Sequence, residues 1–160
     1  MELTTPRLRL RLQTLDEVLA WIDAMSPDDR AAVSPAWISQ AKAATPGDPW
    51  AFSFTVFDRG SGSSIGGCSF KGPPNADGIV EIAYGIDPQH QNRGYATEAA
   101  KALIDFALSD ARVRQVIAHT MPDNAISSRV LEKCGFRRIG EIFDPEDGLV
   151  SRWTRENEAI

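Results

Sequence analysis

The chain has 160 residues and a formal net charge of -5, from 17 Lys and Arg against 22 Asp and Glu. That length suits one domain over residues 1–160, able to bury about two thirds of its unfolded surface without disulfides or metals. Apolar residues make up 42% and charged residues 24%, a soluble balance that excludes general disorder and a membrane partner. The acidic excess argues against nucleic acid, which needs a concentrated basic surface, and mildly favours an amine or other cationic substrate. Two cysteines, Cys68 and Cys134, are too few for a disulfide framework or a zinc site. No metal is therefore expected, and the setting is read as reducing and cytoplasmic. The opening MELTTPRLRLRLQ lacks the apolar run and cleavage site of a secretory signal.

Residues 7–12 alternate strictly, which puts Leu8, Leu10 and Leu12 on a buried face and leaves Arg7, Arg9 and Arg11 to solvent. Thr14 followed by Glu17 forms a capping box ahead of a helix with Leu15, Val18, Leu19 and Ile22 on its apolar side. A second helical stretch starts at Pro27, is interrupted at Pro35 and runs on through Ala41; TPGDP at 45–49 then breaks the chain. Strands are predicted at 50–57 and 64–70 as a hairpin, and at 79–86. Pro88 stops the third, and a long helix starts near Ala96 with Ala100, Leu103, Ile104, Ala107 and Leu108 on one side. A strand at 113–120, a helix over AISSRVLEKC and strands at 136–142 and 149–155 complete the pattern. Strands alternating with helices in the second half make an α/β or α+β layered domain with a mixed sheet.

In such sheets ligands collect outside the carboxyl ends of strands and at helix N-termini, which points to residues 86–98. The segment QNRGYA at 91–96 lies between a strand end and a helix start, where backbone N–H groups have no intrahelical partner. Gly94 permits a left-handed turn or close approach, and the helix dipole adds positive charge, so the segment suits a phosphate or pyrophosphate. Arg93 adds a full charge. The spacing matches neither a Walker loop nor a dinucleotide fingerprint. An ordinary tight turn is the competing reading.

Gln91, Gly94 and Ala96 match the Gln/Arg-x-x-Gly-x-Gly/Ala motif of the GNAT superfamily of N-acetyltransferases. The strings GYATEAAKALIDFA at 94–107 and NAISSRVLEKCGF at 124–136, with TPRLRLR at 5–11, resemble the RimJ/RimL-type branch. The resemblance covers nearly the whole chain and is weakest over 20–60. It implies a GNAT-like, centrally splayed mixed sheet flanked by helices, with acetyl-CoA as co-substrate between strands 79–86 and 113–120. The pyrophosphate would rest on Gln91, Asn92, Arg93, Gly94, Tyr95, Ala96 and Thr97. The pantetheine arm would run along Tyr84, Ile86 and Asp87 like an added strand. Gly85 is a site for a bulge or for close ligand approach.

Acetyl transfer needs a neutral amine, although α-amino groups have a pKa of roughly 7.7–8.0 and lysines about 10.4, so a proton must be accepted. The resemblance implies Glu81 as that base, directly or through water; its side of the strand is either the cleft or solvent. Asn124 and Ser127 match the family's Asn-x-x-Ser, which implies cofactor or water binding by Asn124 and proton donation to the leaving thiolate by Ser127. An N-cap role for Asp123 or Asn124 is the structural alternative. The family's usual tyrosine is missing from that stretch. Gly135 reads as a left-handed helix end, Cys134 as a small buried hydrophobe, His90 as loop surface, and His119 as a base or a packed group. Trp21, Trp37, Trp50 and Trp153 read as core anchors, with Trp37 and Trp50 in segments that would wall the acceptor pocket. The function so implied is acetyl transfer, in a ternary complex, to a primary amine, either a protein N-terminus or a small molecule. A non-catalytic acyl-CoA sensor and a phosphate-binding protein or kinase are the rival classes. A homodimer through the C-terminal strands is the assembly the resemblance implies.

Overall fold

The leucine alternation at the N-terminus lays down the middle of one half of the sheet. In the computed structural model, which describes residues 1–158, Leu8, Leu10 and Leu12 of β2 (Leu8–Leu12) are buried and Arg9 is exposed. The expected domain end at residue 160 lies outside the described residues. Among the described residues the sheet has eight strands in the order β1-β2-β3-β4-β5-β6-β8-β7. The others are β1 (Glu2–Thr4), β3 (Phe54–Asp58), β4 (Ser64–Phe70), β5 (Ile79–Ile86), β6 (Gln115–Thr120), β7 (Arg137–Asp144) and β8 (Gly148–Glu156). Every neighbouring pair is antiparallel except β5 and β6, which run parallel and pair only from Ile79↔Gln115 to Glu81↔Ile117. Beyond that point β5 stays with β4 and β6 with β8, so the two strands splay apart.

The long helix α4 (Tyr95–Leu108) crosses β2, β4, β5 and β6 and buries Ala99, Ala100, Leu103, Ile104 and Ala107 against them. Leu103 is fully buried at the centre of this face, and truncating it to Ala costs about 2–5 kcal/mol. The capping box forms at α1 (Leu15–Asp23), where Thr14 Oγ1 accepts from the Glu17 amide at 3.2 Å. Ser26 and Ser34 cap α2 (Pro27–Ala32) and α3 (Pro35–Ala43), with the prolines at the first helical position where no donor is missed. At the end of α5 (Ala125–Lys133), Gly135 has φ +84° and the Phe136 amide donates to Leu131 O at 3.0 Å, the left-handed stop expected there.

Three expectations need correction, and one strand was missed. The strand expected to begin at residue 50 begins at Phe54; Trp50 to Phe52 form a turn whose amides donate to Asp48, and the ring of Trp50 packs 4.5 Å from that of Phe70. An apolar run can bury itself in a turn when a neighbouring aspartate satisfies its backbone. Strand β1 was not foreseen because three residues show no period. Trp21 is 60% and Trp37 39% exposed, so neither anchors the core; Trp21 stands about 100° round the helix from buried Ile22. Gly85 makes no bulge, since the β4 to β5 pairing continues unbroken from Gly66↔Ile86 to Phe70↔Ile82. Trp50 and Trp153 are buried, and Trp153 Nε1 donates to Thr120 Oγ1 at 3.1 Å. No helix among the described residues is long and apolar enough to cross a membrane.

Candidate active site

Where β5 ends, the chain makes a 3-10 turn at Pro88–His90 and then a loop that enters α4. Asn92 has φ +63° and Gly94 φ +82°, two left-handed residues one apart. Gly94 occupies the cap position without a side chain to satisfy the first turn. Among the described residues, the first loop or helix amide beyond Gln91 to find a protein acceptor is that of Glu98, on Gly94 O at 3.1 Å. The amides from Asn92 to Thr97 are thus available to an anion, and the dipole of a 14-residue helix favours one.

Two side chains brace this loop. Gln91 Nε2 donates to Ile86 O at 2.8 Å, tying the loop to the strand end. Arg7 was expected to be solvated, yet its Nε donates to Glu98 Oε1 at 2.8 Å and its Nη1 to Arg93 O at 2.9 Å. Its guanidinium lies 4.4 Å from the Tyr95 ring centroid, and a Cβ on Gly94 would stand 3.2 Å from Nη2. Burial raises the Glu98 carboxyl's pKa, but hydrogen bonds from the Thr5 hydroxyl and from Arg7 outweigh it and hold the group below the usual range. The strand alternation could not reveal this, because Arg7 precedes β2 at a bend where the chain turns toward α4.

A cleft of about 530 Å³ opens over the loop. Its walls include Tyr84, Gly85 and Ile86 from β5; Gln91, Asn92, Gly94, Tyr95, Ala96 and Thr97 from the loop and α4; and Asn124, Ser127, Arg129 and Lys133 from α5. His90 also lines it, half-buried. Among the described residues, two cations and no carboxylate border the cleft in a chain of net charge -5. A Cβ at Gly85 would meet nothing within 4 Å, so the backbone there is open to close approach. The exposed Arg93 is not in the wall; only its carbonyl is engaged, by Arg7.

The proposed catalytic residues fall in two places. Asn124 caps α5 through its side-chain oxygen, which accepts from the Ser127 amide at 3.0 Å, while Ser127 borders the cleft. Tyr84 reaches across from β5, its hydroxyl donating to Ser127 O at 3.4 Å. Burial pushes the Tyr84 phenol up to about 12, so it remains an O–H donor. A tyrosine therefore stands beside Ser127 from another element, which the α5 sequence could not disclose. Glu81 is not in the cleft wall. It is the last residue of β5 to pair with β6, at the apex of the splay, and its Oε2 accepts from His119 Nδ1 at 2.9 Å and Lys71 Nζ at 3.1 Å. His119 Nε2 is buried without a partner among the described residues. Cys134 is buried, and its thiol is pushed up to about 11 by desolvation, which suits a packing role. Among the described residues no His, Cys, Asp and Glu cluster suits a metal.

The sequence pattern of the Acetyltransferase (GNAT) domain matches residues 5–137. The uncharacterized N-acetyltransferase YjdG of Bacillus subtilis (strain 168) is 30% identical over 146 residues, covering 80% of this chain and 86% of that one. Among solved structures, a RimL ribosomal L7/L12 alpha-N-protein acetyltransferase in complex with coenzyme A superimposes with a TM-score of 0.77 at 16% identity, over 100% of both chains. The ribosomal-protein-S5-alanine acetyltransferase from Vibrio fischeri gives 0.73 at 17% identity, over 99% of this chain and 97% of that one.

Proposed function

The chain belongs to the GNAT acetyltransferase family and is an N-acetyltransferase with acetyl-CoA as co-substrate; on that premise we propose how its own residues bind the thioester and pass the acetyl group to a primary amine. The observation that carries the reading is the cation-bordered cleft over unpartnered amides. The amides of Asn92 to Thr97 take the pyrophosphate, with Gln91 and Arg7 holding the loop. The pantetheine arm lies along Tyr84 to Ile86, where β5 has lost β6 as a neighbour and its backbone is free to pair with an extended ligand.

Glu81 is proposed as the proton acceptor. Its position at the splay apex puts a carboxylate, oriented by Lys71 and His119, where the two strands part. The ammonium loses one proton to Glu81, directly or through water; the nitrogen lone pair adds to the thioester carbonyl, the C–S bond breaks, and the second proton lost from nitrogen replaces the one that the hydroxyls give to the thiolate. Ser127 and Tyr84 carry the hydroxyls nearest the helix end of the cleft, and the departing thiolate takes its proton there. Asn124 acts by fixing the first turn of α5 and so the position of Ser127. The acceptor is a small-molecule amine or a protein N-terminus. The setting is the cytoplasm, where buried Cys68 and Cys134 remain thiols. Exposed Ile139, Ile142 and Phe143 on outer strand β7 support a homodimer through the C-terminal strands.

Titration calorimetry with acetyl-CoA, and with ATP as control, tests the cleft: saturable binding of acetyl-CoA alone is expected, and none by folded protein refutes the assignment. Glu81→Gln should lower amine-dependent thiol release by about 10²- to 10⁴-fold with acetyl-CoA affinity unchanged. Retained turnover would remove Glu81 as the base.

A further inference from the structure

Two more cavities lie along the sheet, and shared wall residues join them to the coenzyme cleft. A shallow trough of about 260 Å³ crosses the polar face of β3, β4 and β5, bounded by Gln13, Thr55, Ser69, Ala83 and Tyr84. Tyr84 also walls the coenzyme cleft. At its other end the trough shares Gln13, Ser53 and Ser69 with a pocket of about 490 Å³. Trp37, Trp50, Phe52, Phe70 and Val18 line that pocket. Among the described residues its one carboxylate is Asp48, whose Oδ1 already accepts from the Trp50 amide at 2.9 Å, and its one cation is Lys71, held by Glu81 at 3.1 Å.

We propose that this pocket seats the body of the acceptor, and that the acceptor is a primary amine carried on one apolar or aromatic group. The inference rests on the coenzyme reading of the cleft. Trp37, whose ring is exposed, offers contact area to an apolar body over a floor of buried Trp50, Phe52 and Phe70, and the volume lies within the usual range for small-molecule pockets. A polyamine or aminosugar brings several ammonium groups, each costly to bury without a partner, and the pocket offers one carboxylate that is partly engaged. The acids lie at the reacting end instead. Glu81 shares a strand face with Ala83 in the trough wall, and Asp144, on the β7 to β8 turn, is within electrostatic reach of Lys71 and His119. One ammonium is thus met at the splay while its body fills the aromatic pocket.

The test measures thiol release from acetyl-CoA with 2-phenylethylamine and with spermidine, after calorimetry has fixed the acetyl-CoA affinity. The expected kcat/KM for 2-phenylethylamine exceeds that for spermidine by about tenfold or more. Trp37→Ala, which removes a side chain 39% exposed, should raise the KM for 2-phenylethylamine about fivefold and leave acetyl-CoA affinity unchanged. Ser69→Trp, at the junction of trough and pocket, should raise it further. If the protein binds acetyl-CoA but uses spermidine equally or better, or does not use the aromatic amine, the acceptor inference falls and the coenzyme reading stands. An unchanged KM in both variants also overturns it. A folded protein that does not bind acetyl-CoA overturns both.

Discussion

Replacing Arg7 by Ala separates a solvated arginine from one that holds the coenzyme loop. The side chain is 45% exposed and that of Glu98 18%, so the ion pair contributes about 0.5–1 kcal/mol. The bond to Arg93 O adds about 0.5–1.5 kcal/mol, and stacking on Tyr95 about 0.5–1 kcal/mol. About 2 kcal/mol of loop support is therefore removed. The fold should survive, because Glu98 keeps the Arg7 amide at 2.9 Å and the Thr5 hydroxyl, and no buried carboxylate is stranded. A fall in Tm of about 4–8 °C is expected for a chain of this size. Carried into binding, the same loss weakens acetyl-CoA affinity by about ten- to thirtyfold, read by calorimetry, while kcat at saturating acetyl-CoA stays within twofold. Arg7→Lys keeps the charge but cannot fork between Glu98 and Arg93 O, so it should fall between wild type and Ala. A dissociation constant within twofold of wild type for folded Arg7→Ala would refute the bracing role.

Three further outcomes test neighbouring steps. Gly94→Asp puts a carboxylate on a φ of +82° beside the phosphate amides and should abolish detectable acetyl-CoA binding in calorimetry, with the circular dichroism spectrum retained. We propose that Arg129 and Lys133, the two cations of the cleft wall among the described residues, meet the 3′-phosphate of the coenzyme ribose; replacing both by Ala should then weaken acetyl-CoA far more than its 3′-dephospho analogue, and equal losses for both ligands would reject that placement. Glu98 has a folded pKa below its ordinary 4.5, so its ionised form stabilises the fold above that pH and the contribution disappears as pH falls through the lowered value. Glu98→Gln should therefore lower Tm at pH 7, with the gap to wild type closing toward pH 3 in thermal scans.

Local periodicity carried most of the fold, because Leu8, Leu10 and Leu12, or Ala100, Leu103, Ile104 and Ala107, declare one buried side each. It misled at Trp50 to Phe52, where Asp48 turns an apolar run back on itself. The loop of free amides was legible because its donors and its glycine lie within seven consecutive residues. The Glu81 cluster was not, since His119 is 38 residues away and depends on the parallel register that sets Glu81 opposite Ile117. Lys71 depends in turn on the β4 to β5 hairpin, where its amide donates to Glu81 O at 2.9 Å. Arg7 gave the wrong signal for a like reason: its partners Arg93, Tyr95 and Glu98 are brought to it by the packing of α4 on the sheet.

The splay also divides the charge of the molecule. Three parallel pairs hold β5 to β6, and from Ile82 onward each strand keeps only its antiparallel neighbour. Two unsatisfied strand edges facing each other are an unstable arrangement unless something extended lies between them. On the α5 side of that gap stand Arg129 and Lys133 with no acid in the wall. On the other side stand Glu81, Asp48 and Asp144, the last held below the usual carboxylate range by the amides of Asp147 and Glu146 and so ionised at neutral pH. The proposed binding mode sets a polyanionic thioester on the cationic side and a cationic amine on the acidic side, the arrangement that charge complementarity favours. The net charge of -5 is then no measure of what the coenzyme meets. On the proposed reading, the acids are set away from the loop assigned to the phosphates and toward the carboxylate assigned to the proton.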